Sequence, residues 1–171
     1  MTPQTRKSFL ADLANLAATL RTRIEAEVTG FDPDPAECQK RRKQAHADFE
    51  FFIGTYFPHY IRSPHKSALH NYLFTRLPEI VASAQGETDA IAAPRGEAKS
   101  TLVSQLFVLW CILTGRKRYP VIVMDSIDQA YPMLEAIKAE LEFNPRLAMD
   151  FPEACGQGRV WQAGTIVTRG D

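Results

Sequence analysis

The chain has 171 residues, which is enough for one globular domain with its own hydrophobic core. Lys and Arg together number 20, and Asp and Glu together also number 20. The sequence therefore lacks the overall positive charge that is typical of proteins that coat nucleic acid. The longest apolar run, residues 106–113, is too short to cross a bilayer, and the N-terminus carries no apolar signal-peptide core. Three widely spaced cysteines without metal-ligand spacing suit a reducing compartment, so we expect an intracellular protein without a membrane anchor.

Residues 1–30 predict an N-terminal amphipathic helix. The helix is expected over residues 2–29, with Thr2 as its N-cap, Pro3 at its first position and Gly30 at its C-terminal end. Such a helix could pack on its own domain or dock on a partner subunit, and the pattern leaves both interpretations open. Its apolar stripe consists of Phe9, Leu13, Leu16, Leu20 and Ile24.

Residues 34–86 predict a helical region. Its first helix is expected to begin with Asp34 as the N-cap and Pro35 at the first position. The dipeptide Ser63-Pro64 is expected to open the next helix. Four consecutive basic residues, Lys40–Lys43, spread around the first helix rather than lining one face, which indicates either a solvated surface or contact with a phosphate backbone.

Residues 87–171 alternate between strand-like and helical patterns. A strand, a helix, a strand and a further helix in succession form a βαβα unit, whose strands lie side by side in a parallel sheet. The predicted fold class is therefore α/β, with an incomplete parallel sheet of the P-loop NTPase type preceded by an α-helical N-terminal region. The expected strands cover residues 88–92, 119–124 and part of 158–168, and the expected helices cover 99–114 and 125–143.

Residues 93–101 read Ala-Pro-Arg-Gly-Glu-Ala-Lys-Ser-Thr and lie between the first expected strand and its helix. This is the layout of a phosphate-binding loop, in which N–H groups at a helix start and the helix dipole converge on an anion. Lys99 would neutralise the terminal phosphates, and the hydroxyl of Ser100 could hold Mg²⁺. Ala93 and Ala98 replace the two glycines of the pattern G-x-x-x-x-G-K-[ST], so a solvated turn is the alternative interpretation.

A nucleotide hydrolase also needs a carboxylate in the metal shell. Asp125 follows the apolar run 119–124 and is one candidate, but it could instead cap the next helix. Many P-loop ATPases place the metal-binding strand one unit later in the chain, and here that strand would fall beyond residue 171. The four histidines, His46, His59, His65 and His70, form no zinc-binding pattern and are interpreted as ordinary surface or core residues of helices. An adenine contact in the aromatic stretch that His59 and His65 flank stays open.

At these residues the chain resembles the large terminase subunit of tailed bacteriophages, the ATPase that drives DNA into capsids. The resemblance rests first on the loop 93–101, which looks like the arginine-bearing variant of that family's loop. It rests also on Val-Ile-Val-Met-Asp-Ser-Ile-Asp-Gln-Ala at 121–130 and on Gly-Arg-Val-Trp-Gln-Ala-Gly-Thr-Ile-Val-Thr-Arg-Gly at 158–170. The resemblance as a whole covers roughly residues 57–171, and these segments are its most recognisable parts.

The resemblance implies that the protein binds ATP and Mg²⁺. By position, Lys99 would contact the β- and γ-phosphates, and Ser100 would be the Mg²⁺ ligand. Arg95 would stabilise charge at the γ-phosphate or on an adjacent subunit, so Lys99 and Arg95 are the catalytic candidates. The implied ATP-binding set is Ala93, Pro94, Arg95, Gly96, Glu97, Ala98, Lys99, Ser100 and Thr101.

The resemblance further implies an ATPase of which this chain is the front portion, residues 87–171 being the first part of its P-loop core. The family's acidic metal-binding motif, coupling segment and nuclease domain have no match in the chain. Double-stranded DNA, a portal protein, a small terminase subunit and further copies in an assembled motor are the implied partners, in the cytoplasm of the host cell. Two alternatives stay open: another P-loop ATPase, helicase-like or recombinational, with Asp125 as its metal acid, and a non-catalytic interaction module with a vestigial loop.

Overall fold

The computed structural model describes residues 3–61, 63 and 65–170, with side chains from residue 6 onward. The expected N-cap at Thr2 and the expected helix opening at Pro64 therefore lie outside the described residues. Helix is the main secondary structure, at 61%. The helices are α1 (Pro3–Glu27), α2 (Pro35–Ala47), α3 (Phe49–Tyr56), α4 (Ala68–Ala82), α5 (Phe107–Leu113), α6 (Ile127–Phe143) and α7 (Pro145–Asp150), with a 3-10 turn at Pro58–Tyr60 and a π-helix at Thr101–Leu106.

The predicted α/β fold with a P-loop-type parallel sheet is wrong. Over the described ranges, the sheet consists only of β1 (Val160–Trp161) and β2 (Ile166–Val167). These strands pair antiparallel, with Val160 opposite Val167 and Trp161 opposite Ile166. The short strands expected within 158–168 are thereby confirmed, whereas residues 88–92 and 119–124 are in no ladder.

The reason for this error lies in what a buried strand requires from the rest of the molecule. An apolar run becomes a parallel strand only where neighbouring strands supply hydrogen bonds and helices cover both faces of the sheet. Residues 119–124 have no such neighbours in the part of the chain that is described. Tyr119, Val121 and Val123 are accordingly 85%, 66% and 85% exposed.

Helix boundaries follow local capping signals. Asp34 precedes α2 as predicted, and its Oδ1 accepts a hydrogen bond from the N–H of Ala36 at 2.8 Å. Helix α4 begins after Ser67, where Ser67 and His70 form a capping box in which each side chain bonds the backbone N–H of the other.

The end of α6 also shows a cap that the sequence analysis missed. Asn144 ends α6, and its side-chain oxygen accepts hydrogen bonds from the N–H groups of Arg146 and Leu147. Pro145 suits the first position of a helix because it has no N–H to satisfy there. Together these two residues start α7, which was not predicted.

The chain divides into two compact units. We call Met1–Arg42 together with Ile122–Asp171 the discontinuous unit, and Lys43–Val121 the central unit. In the discontinuous unit, α1 packs on α6 and buries Leu13 and Ile24 of its apolar stripe, and Val28, directly after α1, is buried in the same cluster as Ile24. The interpretation that α1 packs within its own domain is therefore confirmed.

The core of the central unit is aromatic. Helix α3 packs on α4 and α5, and the Phe49 ring lies against the rings of Phe74, Phe107 and Trp110. The buried indole Nε1 of Trp110 donates a hydrogen bond to the carbonyl of Ala45 at 2.7 Å, which satisfies its polar atom. Helix α5, which follows the predicted phosphate loop, is thereby fixed in this core.

Candidate phosphate-binding loop

The loop 93–101 contains two residues with left-handed backbone conformations. Gly96 has a φ of 92° and Ala98 has a φ of 52°. Glycine adopts such angles readily, whereas for alanine the Cβ approaches the following carbonyl and the conformation costs about 1–2 kcal/mol. Ala98 is the only residue other than glycine with positive φ over the described ranges.

Ala98 also stands at the start of a helix. Its carbonyl accepts the first helical hydrogen bond, from the N–H of Leu102 at 2.9 Å, and the chain is helical from Lys99 onward. The N–H groups of Lys99, Ser100 and Thr101 precede that bond and have no partner within the helix. An alanine side chain offers no oxygen to cap them.

Lys99 turns back toward the start of the loop. Its Nζ donates a hydrogen bond to the carbonyl of Ile91 at 3.2 Å, and the side chain is half-buried. An ammonium group has three donors, so two remain for a ligand. The Lys99 side chain, which the sequence analysis assigned to phosphate, thus links the loop to the segment that precedes it.

The remaining members of the predicted ATP-binding set are open to solvent to different degrees. Arg95, Gly96 and Ser100 are exposed, and so is Pro94. The others, Ala93, Glu97 and Thr101, are partly buried. The predicted residues therefore form one contiguous turn with two exposed polar side chains, Arg95 and Ser100.

The helix behind the loop begins as a π-helix over Thr101–Leu106 and continues as α5. The wider turn was not predicted, and its inward-facing residues Leu102, Gln105 and Leu106 are buried. Gln105 Nε2 donates a hydrogen bond to the Tyr60 hydroxyl at 2.5 Å, and the ring of Tyr60 lies 4.4 Å from that of His59. Single π-turns inside helices occur frequently at functional sites.

An arginine that the sequence analysis overlooked lies before the loop. Arg76 of α4 forms ion pairs with Glu87 and Asp89, both of which belong to the segment that leads into the loop, and a longer one with Glu79 of α4 itself. The spacing of Glu87 and Asp89, with Thr88 between them, is a sequence signal that could have indicated a shared cationic partner.

Asp125 is the acid that the sequence analysis offered either as a metal ligand or as the cap of the next helix. Asp125 is exposed and belongs to the discontinuous unit, whereas the loop belongs to the central unit. Ser126, not Asp125, is the N-cap residue of α6, because its carbonyl accepts from the N–H groups of Gln129 and Ala130. Within the described ranges, no group of three or more His, Cys, Asp or Glu side chains is placed to hold a metal ion.

The basic run Lys40–Lys43 is largely engaged inside the molecule. Arg41 makes a bidentate ion pair with the fully buried carboxylate of Asp150, with both nitrogen–oxygen distances at 2.8 Å. Arg42 pairs with Glu153. Lys40 pairs with Glu37 of the same helix, so three of the four basic residues contact acids of the same unit, which favours a structural role over contact with DNA phosphates.

No helix of the described residues combines the length and the apolar character that a membrane span requires. Comparison with known proteins found no matching protein family, no matching curated protein and no matching solved structure.

Proposed function

We propose that residues 93–101 bind the polyphosphate of a nucleotide, ATP with Mg²⁺. The observation that carries this proposal is the left-handed backbone of Ala98 directly before Lys99 at the helix start. Backbone that alternates between right- and left-handed conformations turns successive N–H groups toward one point and creates an anion-binding concavity. The fold of the surrounding chain plays no part in this inference.

Three local features of this turn are unfavourable in themselves, and a bound anion would offset them. Positive φ strains Ala98, its methyl group cannot cap the helix, and the helix dipole repels the ammonium of Lys99 in the first turn. Each costs about 1 kcal/mol. Strain of this kind persists mainly at sites where it serves binding or catalysis. A bound phosphate would accept from the free N–H groups, would attract the lysine and would be stabilised by the dipole.

Within the proposed site each side chain has a separate role. Lys99 binds terminal phosphate oxygens with the donors that Ile91 leaves free, and Arg95 reaches phosphate from the exposed rim of the turn. The exposed hydroxyl of Ser100 is a hard oxygen ligand of the kind that Mg²⁺ accepts, and that ion usually keeps several waters and phosphate oxygens as its other ligands.

The test is a calorimetric titration of Mg-ATP into the wild-type chain and into Lys99→Ala. Loss of a charge-assisted hydrogen bond to phosphate predicts that Lys99→Ala weakens binding by at least about tenfold. Lys117→Ala is the matched control, because it removes an exposed lysine of the same unit and should leave the dissociation constant unchanged. Equal affinities of wild type and Lys99→Ala would contradict the proposal.

We further propose that the nucleotide site serves a DNA-packaging ATPase of the large-terminase type. Support comes from the loop residues and from the segments 121–130 and 158–170. Double-stranded DNA, a portal protein, a small subunit and further copies of the chain are then its partners in the cytoplasm of a phage-infected cell. ATP turnover by the full-length protein should rise with double-stranded DNA and vanish in Lys99→Ala. Turnover that survives this substitution would argue against an ATPase based on this loop.

A further inference from the structure

The segment that leads into the loop is held by side chains rather than by backbone pairing. Among the described residues, 86–92 make no backbone–backbone hydrogen bond. The carbonyl of Ile91 in this segment accepts a hydrogen bond from Lys99 Nζ. A segment without backbone pairing retains conformational freedom. Side-chain contacts are therefore needed to fix where the carbonyl of Ile91 lies.

Arg76 provides the attachment. Its Nε donates to Asp89 Oδ2 at 2.9 Å, and its Nη2 donates to Glu87 Oε2 at 2.6 Å. Less than a third of each of the three side chains is exposed. The planar guanidinium fixes both acids in one geometry, which a lysine could not do. The pKa of Glu87 lies below its ordinary value, first because of a hydrogen bond with Ser83 and then because of the one from Arg76.

The attachment reaches Lys99 through a short piece of chain. Asp89 and Ile91 are two residues apart, so that their Cα atoms are at most about 7 Å apart and the fixed carboxylate restricts where the Ile91 carbonyl lies. We infer that Arg76 is a positioning residue for the phosphate site, an inference that rests on the proposed function. Arg76 fixes the carboxylates of Asp89 and Glu87, and these restrict where the nearby carbonyl of Ile91 can lie. That carbonyl accepts the hydrogen bond from Lys99 and so keeps its ammonium group at the loop before a nucleotide binds.

Preorganisation of this kind favours binding because the lysine does not have to be ordered by the ligand. Asp89→Asn removes one charge from the segment, and Arg76→Gln removes the shared partner. Glu79→Gln is the matched control: Glu79 also contacts Arg76, at 3.5 Å, but it lies on α4 and does not hold the segment.

The first readout needs no nucleotide. The acylation rate of the Lys99 amine relative to that of Lys117, followed by peptide mass spectrometry, reports whether Lys99 is held. We expect this ratio to rise about threefold in Asp89→Asn and in Arg76→Gln, since an exposed ion-pair network contributes modestly. The ratio in Glu79→Gln should equal that of the wild type. An unchanged ratio in both Asp89→Asn and Arg76→Gln would overturn the inference.

The second readout is the dissociation constant of Mg-ATP. Asp89→Asn should raise it about threefold, the double variant Arg76→Asp with Asp89→Arg should restore part of the loss, and Glu79→Gln should not change it. Tighter binding by Asp89→Asn would overturn the inference, because the contact would then oppose the ligand. If the wild type binds no Mg-ATP, the proposed function fails, while the acylation ratio still decides whether Arg76 positions Lys99.

Discussion

At the residue scale, the sequence predicts the helix start at Lys99 correctly but underestimates Ala98. The dipeptide Lys99-Ser100 marks a helix start, and the structure is helical from Lys99. The two alanines at glycine positions count against a phosphate loop when only the letters are compared. The structure instead gives Ala98 the backbone angle that glycine adopts easily, with a φ of 52°. A substitution pattern alone does not reveal whether a chain accepts strain at one residue, because that depends on packing elsewhere.

Ala98→Gly should stabilise the protein. The substitution removes the Cβ from a left-handed position, and we expect the free energy of unfolding to rise by about 1 kcal/mol after the greater entropy of glycine in the unfolded chain is included. Urea unfolding followed through the fluorescence of Trp110, which lies in the same unit, measures this change. Ala18→Gly, in the exposed interior of α1, is the control; followed through Trp161 of its own unit, it should lower stability by about 1 kcal/mol. A decrease in Ala98→Gly would argue that the left-handed conformation is absent.

The two buried thiols predict how stability depends on alkaline pH. Burial raises the pKa of Cys111 to about 11 and that of Cys155 to about 12, from an ordinary value of 9.0. Above pH 9 the unfolded chain releases these protons while the folded chain retains them. The unfolded state then binds fewer protons, so stability should fall as the pH rises from 9 toward 12.

Urea unfolding at several pH values across this window measures the effect. The double variant Cys111→Ala with Cys155→Ala should show a shallower decline, because its unfolded state has two fewer thiols to ionise. Identical slopes for the variant and the wild type would show that these thiols do not contribute.

At the element scale, most helices and the short strands within 158–168 were predictable, whereas the parallel strands at 88–92 and 119–124 were predicted wrongly. Helix α1 is defined by an apolar stripe in its own sequence, and α2 and α6 have caps or breaks within a few residues of their ends. These signals are local. A strand depends on partners elsewhere in the chain, so the apolar run 119–124 predicts a strand only if a sheet is available to receive it.

The ion pair between Arg41 of α2 and Asp150 of α7 decides how the basic run of α2 is interpreted. Asp150→Asn should destabilise the discontinuous unit by about 3 kcal/mol, since it leaves Arg41, whose side chain is only 16% exposed, without its bidentate carboxylate. Unfolding followed through Trp161, which lies in the same unit, measures the change. Glu153→Gln removes the acid from the exposed neighbouring pair with Arg42 and should cost less than about 1 kcal/mol. Equal effects of the two substitutions would show that burial does not strengthen the Arg41 pair.

At the scale of the whole molecule, no pattern in the sequence predicts the division into two units. The discontinuous unit joins the beginning of the chain to its final fifty residues through the packing of α1 on α6, a contact between residues distant in sequence. Periodicity shows which face of each helix is apolar but not which other helix covers it. The helix start at Lys99, in contrast, was predictable because its signals reside in consecutive residues.

The central claim is that the turn between Ala93 and Thr101 binds polyphosphate, and a crystal structure with Mg²⁺ and a non-hydrolysable ATP analogue tests it most directly. The account predicts phosphate oxygens within hydrogen-bonding distance of the N–H groups of residues 96–100 and of Lys99 Nζ. A crystal in which the analogue is bound elsewhere, or in which these N–H groups point away from its phosphates, would contradict the claim.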